Sequence, residues 1–120
     1  MSDVVVTVPK ALWADWIAEG DLPGEEAAYQ PHFWLSGGLP EIAPGERVYI
    51  VAHGKLRGFA PLVAIEQRCR LRPSVGCLIR EGDAEAVTIE QPIRGFQGFR
   101  YRWWDRSEER PFPDWQEATS

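Results

Sequence analysis

A chain of 120 residues with 44% hydrophobic and 26% charged side chains has the size and composition of one packed domain and excludes an extensively disordered protein. Its formal charge of -5 argues against a protein that coats nucleic acid through a broad basic surface. The N-terminus lacks a basic-then-apolar leader, and no run approaches the roughly eighteen apolar residues of a membrane span. The expectation is therefore a soluble, cytoplasmic protein without a membrane partner.

Val4 to Val8, VVVTV, reads as a first strand. Pro9 suits the first position of a helix, where its missing N-H costs nothing. Leu12, Trp13, Trp16 and Ile17 then recur on one helical face, and Gly20 stands where a helix stops. Gly20 to Pro40 is broken by Gly and Pro, with at most a helical turn or two over Gly24 to Tyr29. That stretch holds Tyr29, His32, Phe33 and Trp34, an aromatic group on an expected loop that either packs on the core or walls a pocket.

From Arg47 the period changes. Val48 to Ala52 and Phe59 to Ile65 are apolar runs flanking AHGKLRG, the expected hairpin turn. The second run continues as an alternating strand with Arg68, Arg70 and Arg72 on one face and Cys69 and Leu71 on the other. Pro73 to Gly76 makes a turn, Cys77 to Arg80 a further strand, and Glu81 to Glu85 a polar loop. Cys69 and Cys77, the two cysteines, form no CxxC pair and adjoin no histidine, so neither a metal site nor a cofactor is expected, and both read as reduced thiols.

Positive charge is unevenly placed. Residues 1–66 carry four Lys+Arg against nine Asp+Glu, whereas residues 67–120 carry nine of each. The stretch IRGFQGFRYRWWDR, Ile93 to Arg106, packs five aromatic rings and four arginines into fourteen residues. If Phe99 to Trp104 is a strand, Phe99, Tyr101 and Trp103 form a core face, while Arg100, Arg102 and Trp104 form an outward face. Two guanidinium groups beside an indole suit a phosphate and a stacked base, and equally suit salt bridges and cation-π packing. Gly95 and Gly98 mark a bulge or a close approach of another group. Residues 111–120 form a tail after a single domain at 1–110, pinned by Phe112 and Trp115.

Strand, helix, broken aromatic stretch and then four or more strands fit a small α+β domain built on a mixed, strongly bent sheet or open barrel. The segments VVVTVPKALWADWIAEGD and PGERVYIVAHGKLRGFAPLVAIE, with the closing aromatic strand, resemble the PUA-like superfamily, in particular its ASCH and EVE branches. The resemblance implies a pseudobarrel with one or two short helices and a cleft that binds RNA or one modified base flipped out of DNA. Some relatives are amidohydrolases using a lysine, a threonine and a glutamate. Their Gly-x-Lys motif falls here on Gly20, Asp21 and Leu22, so the lysine is missing and that activity is not carried over.

Three functions from different classes follow as expectations. The first is a module that binds RNA, DNA or a single nucleotide through Trp34, Arg57, Arg94, Arg100, Arg102 and Trp104. The second is a small hydrolase or nuclease using His53, Lys55 and Glu66, with His32 as a further acid-base candidate. No GxSxG, HExxH or GxxxxGK[ST] motif supports it. The third is a protein-protein interaction module that works through the acidic N-terminal half.

Overall fold

The computed structural model describes residues 3–8, 32–35, 39–68, 76–80, 84–96, 98–113 and 115. The expected helix from Pro9 lies outside them, as do Cys69, Arg70 and Arg72. Among the described residues strand predominates: β1 (Val4–Thr7), β2 (His32–Leu35), β3 (Arg47–Ala52), β4 (Lys55–Glu66), β5 (Gly76–Arg80), β6 (Val87–Thr88), β7 (Phe99–Tyr101) and β8 (Arg110–Pro111). No helix among these residues is long and apolar enough to cross a membrane.

Six strands form a curled, half-barrel mixed sheet in the order β2-β5-β4-β3-β1-β7. β1 runs parallel to β3, with Val4 opposite Val48 and Val6 opposite Ile50, and every other neighbour is antiparallel. A parallel pair needs a crossover between its strands, and residues 9–46 supply it. His32–Leu35 belong to that crossover and form an edge strand on β5, not the loop expected from their Gly- and Pro-rich surroundings. Backbone pairing with Gly76 to Ile79 overrides that local composition.

Strand alternation sends two apolar sets to opposite faces of the sheet. Val4, Val6, Val8, Val48, Ile50, Ala52, Leu62 and Leu78 make one core. Val5, Tyr49, Val51, Leu56, Phe59, Val87, Ile89, Ile93 and Trp104 make the other. Burial on both faces accounts for the unbroken valine run of β1, as in other covered sheets with parallel strands.

The β3–β4 hairpin closes through His53 and Gly54, at φ 48° and 73°. Two successive positive φ values define the turn whose twist matches paired strands, and Gly54 occupies the second position without steric cost. The turn is thus shorter than AHGKLRG: Lys55, Leu56 and Arg57 already belong to β4. β4 carries two irregularities. Ile50 faces Gly58 while Val51 faces Leu56, so Arg57 is an extra residue, and Val63 is likewise extra between Leu62 and Ala64. The first half of this 12-residue strand pairs with β3 and its far end with β5. β4 ends at Glu66, short of the arginine stripe assigned to it, and Arg68 lies beyond it, exposed.

Residues 84–88 run back along β4, where Phe59 and Glu85 exchange both backbone hydrogen bonds at 3.0 and 2.8 Å. β6 then pairs with β8, and the Phe112 amide donates to the Ala86 carbonyl. β8 straddles the expected boundary between domain and tail, and Trp115 packs against the first core.

Candidate functional site

The region around β7 is where the sequence placed its ligand face. β7 pairs with β1, with Arg100 opposite Val5 and Tyr101 opposite Val4, so the two side chains leave on opposite faces as expected. Phe99 packs on the first core and Arg100 is exposed, as expected, but the burial of the other three aromatic residues is reversed. Trp104 is 4% exposed inside the second core, edge-on to Tyr49 at 5.1 Å, whereas Tyr101 and Trp103 are 44% and 45% exposed. β7 is an edge strand of three residues, so alternation alone leaves its outer aromatic side chains uncovered and the chain turns Trp104 inward after it ends.

Three of the expected ligand residues are engaged by the fold. Arg57, 1% exposed, donates to the carbonyls of Ala52 (2.9 Å), Trp115 (3.1 Å) and His53 (3.5 Å). Burial lowers the pKa of its guanidinium. Arg102 donates through Nε to Asp3 at 3.1 Å and through Nη1 to the Trp104 carbonyl. Trp104 donates its indole N-H to Glu109 at 2.9 Å. Arg94 and Arg100 are exposed, with Arg100 lying 4.7 Å over the Phe96 ring. Gly95 permits the approach of that segment to β1, since a Cβ there would stand 3.3 Å from the Thr7 methyl. Trp34 and His32 lie on β2, whose side chains fall outside the described ones.

The candidate acid-base residues do not converge. His53 and Lys55 stand at the hairpin end of β4, with Lys55 Nζ 5.5 Å from the Phe112 ring, and Glu66 closes the other end of that strand.

A different group of residues does come together. Arg47, Phe59, Glu85, Ala86, Val87, Arg106, Glu109, Arg110 and Pro111 line an open cavity of about 310 Å³. Arg47 and Tyr49, two apart on β3, share a face with Phe59 opposite Tyr49. The Arg47 guanidinium lies 4.0 Å over the Phe59 ring, a cation-π stack that forms part of the cavity wall. Asp105 and Glu108 set the entry of the C-terminal wall through a capping box: the Asp105 carboxylate accepts from the Ser107 amide and the Glu108 carboxylate from the Asp105 amide. This 3-10 turn, Arg106–Glu108, delivers Arg106, Glu109 and Arg110 to the cavity.

Glu109 is the polar centre of this wall, with a side chain 7% exposed. It accepts from the Tyr49 hydroxyl at 2.6 Å, the Trp104 indole at 2.9 Å and Arg47 at 3.0 Å. Arg47 also donates to the Tyr49 hydroxyl at 3.0 Å. Burial first, and then the hydrogen bond to Glu109, push the Tyr49 hydroxyl well above its ordinary pKa, so it remains a donor. Around the corner the buried Asp3 accepts from the Arg47 amide at 2.9 Å, Arg102 at 3.1 Å and Arg106 at 2.8 Å. Burial raises the pKa of Asp3, but the Arg47 amide and the two guanidinium groups outweigh it, and the net position is below the ordinary carboxylate range.

That depression sets an expected pH dependence. A carboxyl group with a folded pKa below its unfolded value stabilises the fold above the unfolded value, and the contribution is lost as pH falls through the folded one. Asp3→Asn should therefore cost about 1.5–3 kcal/mol near pH 7, the usual worth of hydrogen bonds to a charged group. Its deficit should shrink as urea melts are taken below about pH 4. A deficit that stays constant through that range would mean the charge of Asp3 contributes nothing.

Sequence reading missed Arg47, Tyr49, Phe59, Glu85, Arg106, Glu109 and Arg110 as one group. Two signals carried part of it: Arg47 and Tyr49 at strand spacing, and the Asp105-x-x-Glu108 capping pattern. No family model matches the chain, and no curated protein or solved structure is significantly similar to it.

Proposed function

We propose that this chain is a nucleic-acid or nucleotide binding module, with the cavity beside Phe59 as the seat of the ligand. The observation that carries the proposal is that three arginines, Arg47, Arg106 and Arg110, line one open cavity and the guanidinium of Arg47 lies 4.0 Å over an aromatic ring. Forked guanidinium donors match phosphate oxygens, and a guanidinium plane is a surface on which a base stacks. The Arg110 side chain is 55% exposed and meets its ionic partner Glu90 only at 3.6 Å, so its donors are accessible to a phosphate. A volume near 310 Å³ is at the small end for ligand pockets and suits one nucleotide unit, free or at a position in RNA or DNA. A single-unit site also suits an acidic chain, because few phosphate contacts and a negative field give weak, salt-sensitive hold on a long polymer. Arg94 and Arg100 are exposed but stand outside the cavity lining, so no ligand contact is assigned to them.

Trp104 reports on the site, since its indole is bonded to Glu109 in the cavity wall. Titration with mononucleotides and with short single-stranded RNA and DNA should give a saturable change in tryptophan fluorescence that weakens with salt. Arg110→Ala should lower the affinity about tenfold, the worth of one charge-assisted hydrogen bond, with the melting temperature unchanged. If none of these ligands produces a saturable change at low salt, the proposal is wrong.

A further inference from the structure

We infer that the cavity takes a nucleotide whose base carries an exocyclic amino group, as in cytosine or adenine, and that Glu85 is the residue that reads it. The inference rests on the nucleotide-binding proposal and adds the identity of the base. It starts from a charge that phosphate binding leaves unexplained: two acidic residues, Glu85 and Glu109, line a cavity otherwise suited to an anion, and Glu85 shares the face of its partner Phe59. Glu109 is accounted for by its bonds to Tyr49, Trp104 and Arg47. Glu85 is not part of that cluster. In a seat for phosphate alone its charge only repels the ligand. Against a ligand that also presents N-H donors, the same charge becomes a contact.

Backbone geometry puts Glu85 where such a contact belongs. Its amide and carbonyl both bond to Phe59, at 2.8 and 3.0 Å, which fixes its Cα across from the residue whose ring carries the Arg47 guanidinium. The site therefore has three chemically distinct parts: a stacking surface at Arg47 and Phe59, cationic donors at Arg106 and Arg110, and an acceptor at Glu85. An ionised carboxylate can only accept. The amino group of cytosine or adenine donates to it, while uracil and hypoxanthine put a carbonyl oxygen at the same position and oppose acceptor to acceptor. Selectivity then arises from repulsion of the wrong base as much as from attraction of the right one.

The test uses the full chain and four probes that differ pairwise by that one group: CMP against UMP, and AMP against IMP. The wild-type chain should bind CMP and AMP about tenfold or more tighter than UMP and IMP, the scale of one base-edge contact. Glu85→Gln, whose amide both donates and accepts, should bring each ratio below about threefold by strengthening UMP and IMP binding. Glu85 is exposed and its bonds to Phe59 are made by the backbone, so the variant should melt with the wild type. Equal affinity of the wild-type chain for all four nucleotides overturns the base preference and leaves nucleotide binding standing. A preference that survives in both Glu85→Gln and Glu85→Ala overturns the role of Glu85. Binding of none of the four overturns this inference, and the function on which it rests falls with it only if short single-stranded RNA and DNA also fail to bind.

Discussion

Glu109→Ala should lower the unfolding free energy by about 3–5 kcal/mol, the range for removing one member of a buried charged network. The substitution leaves the Tyr49 hydroxyl and the Trp104 indole, both buried, without the acceptor that each uses at 2.6 and 2.9 Å, and it strips Arg47 of its 3.0 Å ionic partner. Orphaned buried donors retain their full desolvation penalty, which is why truncation exceeds the net worth of the bonds themselves. Glu109→Gln, which keeps an acceptor oxygen but not the charge, should lose about half as much. Urea denaturation followed by far-UV circular dichroism measures both, and a cycle with Tyr49→Phe should show a coupling of about 1–2 kcal/mol. Additive effects of the two substitutions would mean that the short Tyr49–Glu109 bond carries no energy of its own.

Arg57→Ala should be of similar size, about 3–5 kcal/mol, for a different reason. The bulge in β4 re-aims this residue, and its long side chain fills interior volume between the hairpin turn and the C-terminal segment. Truncation opens a void and removes the donors used by the carbonyls of Ala52, Trp115 and His53. Arg57→Met, which keeps most of the stem, separates these terms, because it restores packing but not donation. It should recover roughly half the loss. The C-terminal contact should also loosen in the alanine variant, so amide exchange at Phe112, bonded to Ala86, should accelerate by more than the global destabilisation explains. A loss below about 1 kcal/mol would show that the buried guanidinium is merely tolerated.

The parts of the fold written in side-chain periodicity were legible. Apolar runs located β1, β3, β5 and most of β4, and the bent mixed sheet followed from their order. What was hidden depends on partners distant in sequence. β2 owes its extended form to β5, and His32 to Leu35 carry no local sign of that pairing. The arginines of Ile93 to Arg106 were visible, but their division between structure and surface was set by Asp3, which lies about a hundred residues away, at separations of 99 for Arg102 and 103 for Arg106. Trp104 was assigned to the ligand face by simple alternation, which stops at Tyr101 where β7 ends. The cavity could not be found by spacing, because it joins residues 47, 59, 85 and 106–111 from four separate segments.

β4 illustrates the same limit and has a consequence for how the chain tolerates change. Leu56 and Phe59 face one core, and Leu62 and Ile65 face the other, a spacing of three in a strand whose natural repeat is two. Each extra residue, Arg57 or Val63, shifts the reading frame of the strand by one, and the second shift cancels the first. The beginning and end of β4 are thus in phase with each other and out of phase with the middle. Deleting Arg57 or Val63 itself would remove a bulge yet leave every other residue opposite its present partner and on its present face. A single deletion between the bulges would instead send either Phe59 or Leu62 to the wrong core. Length variation in this strand is therefore localised: the sheet can lose a residue at Arg57 or Val63 without inverting its neighbours, but not between them.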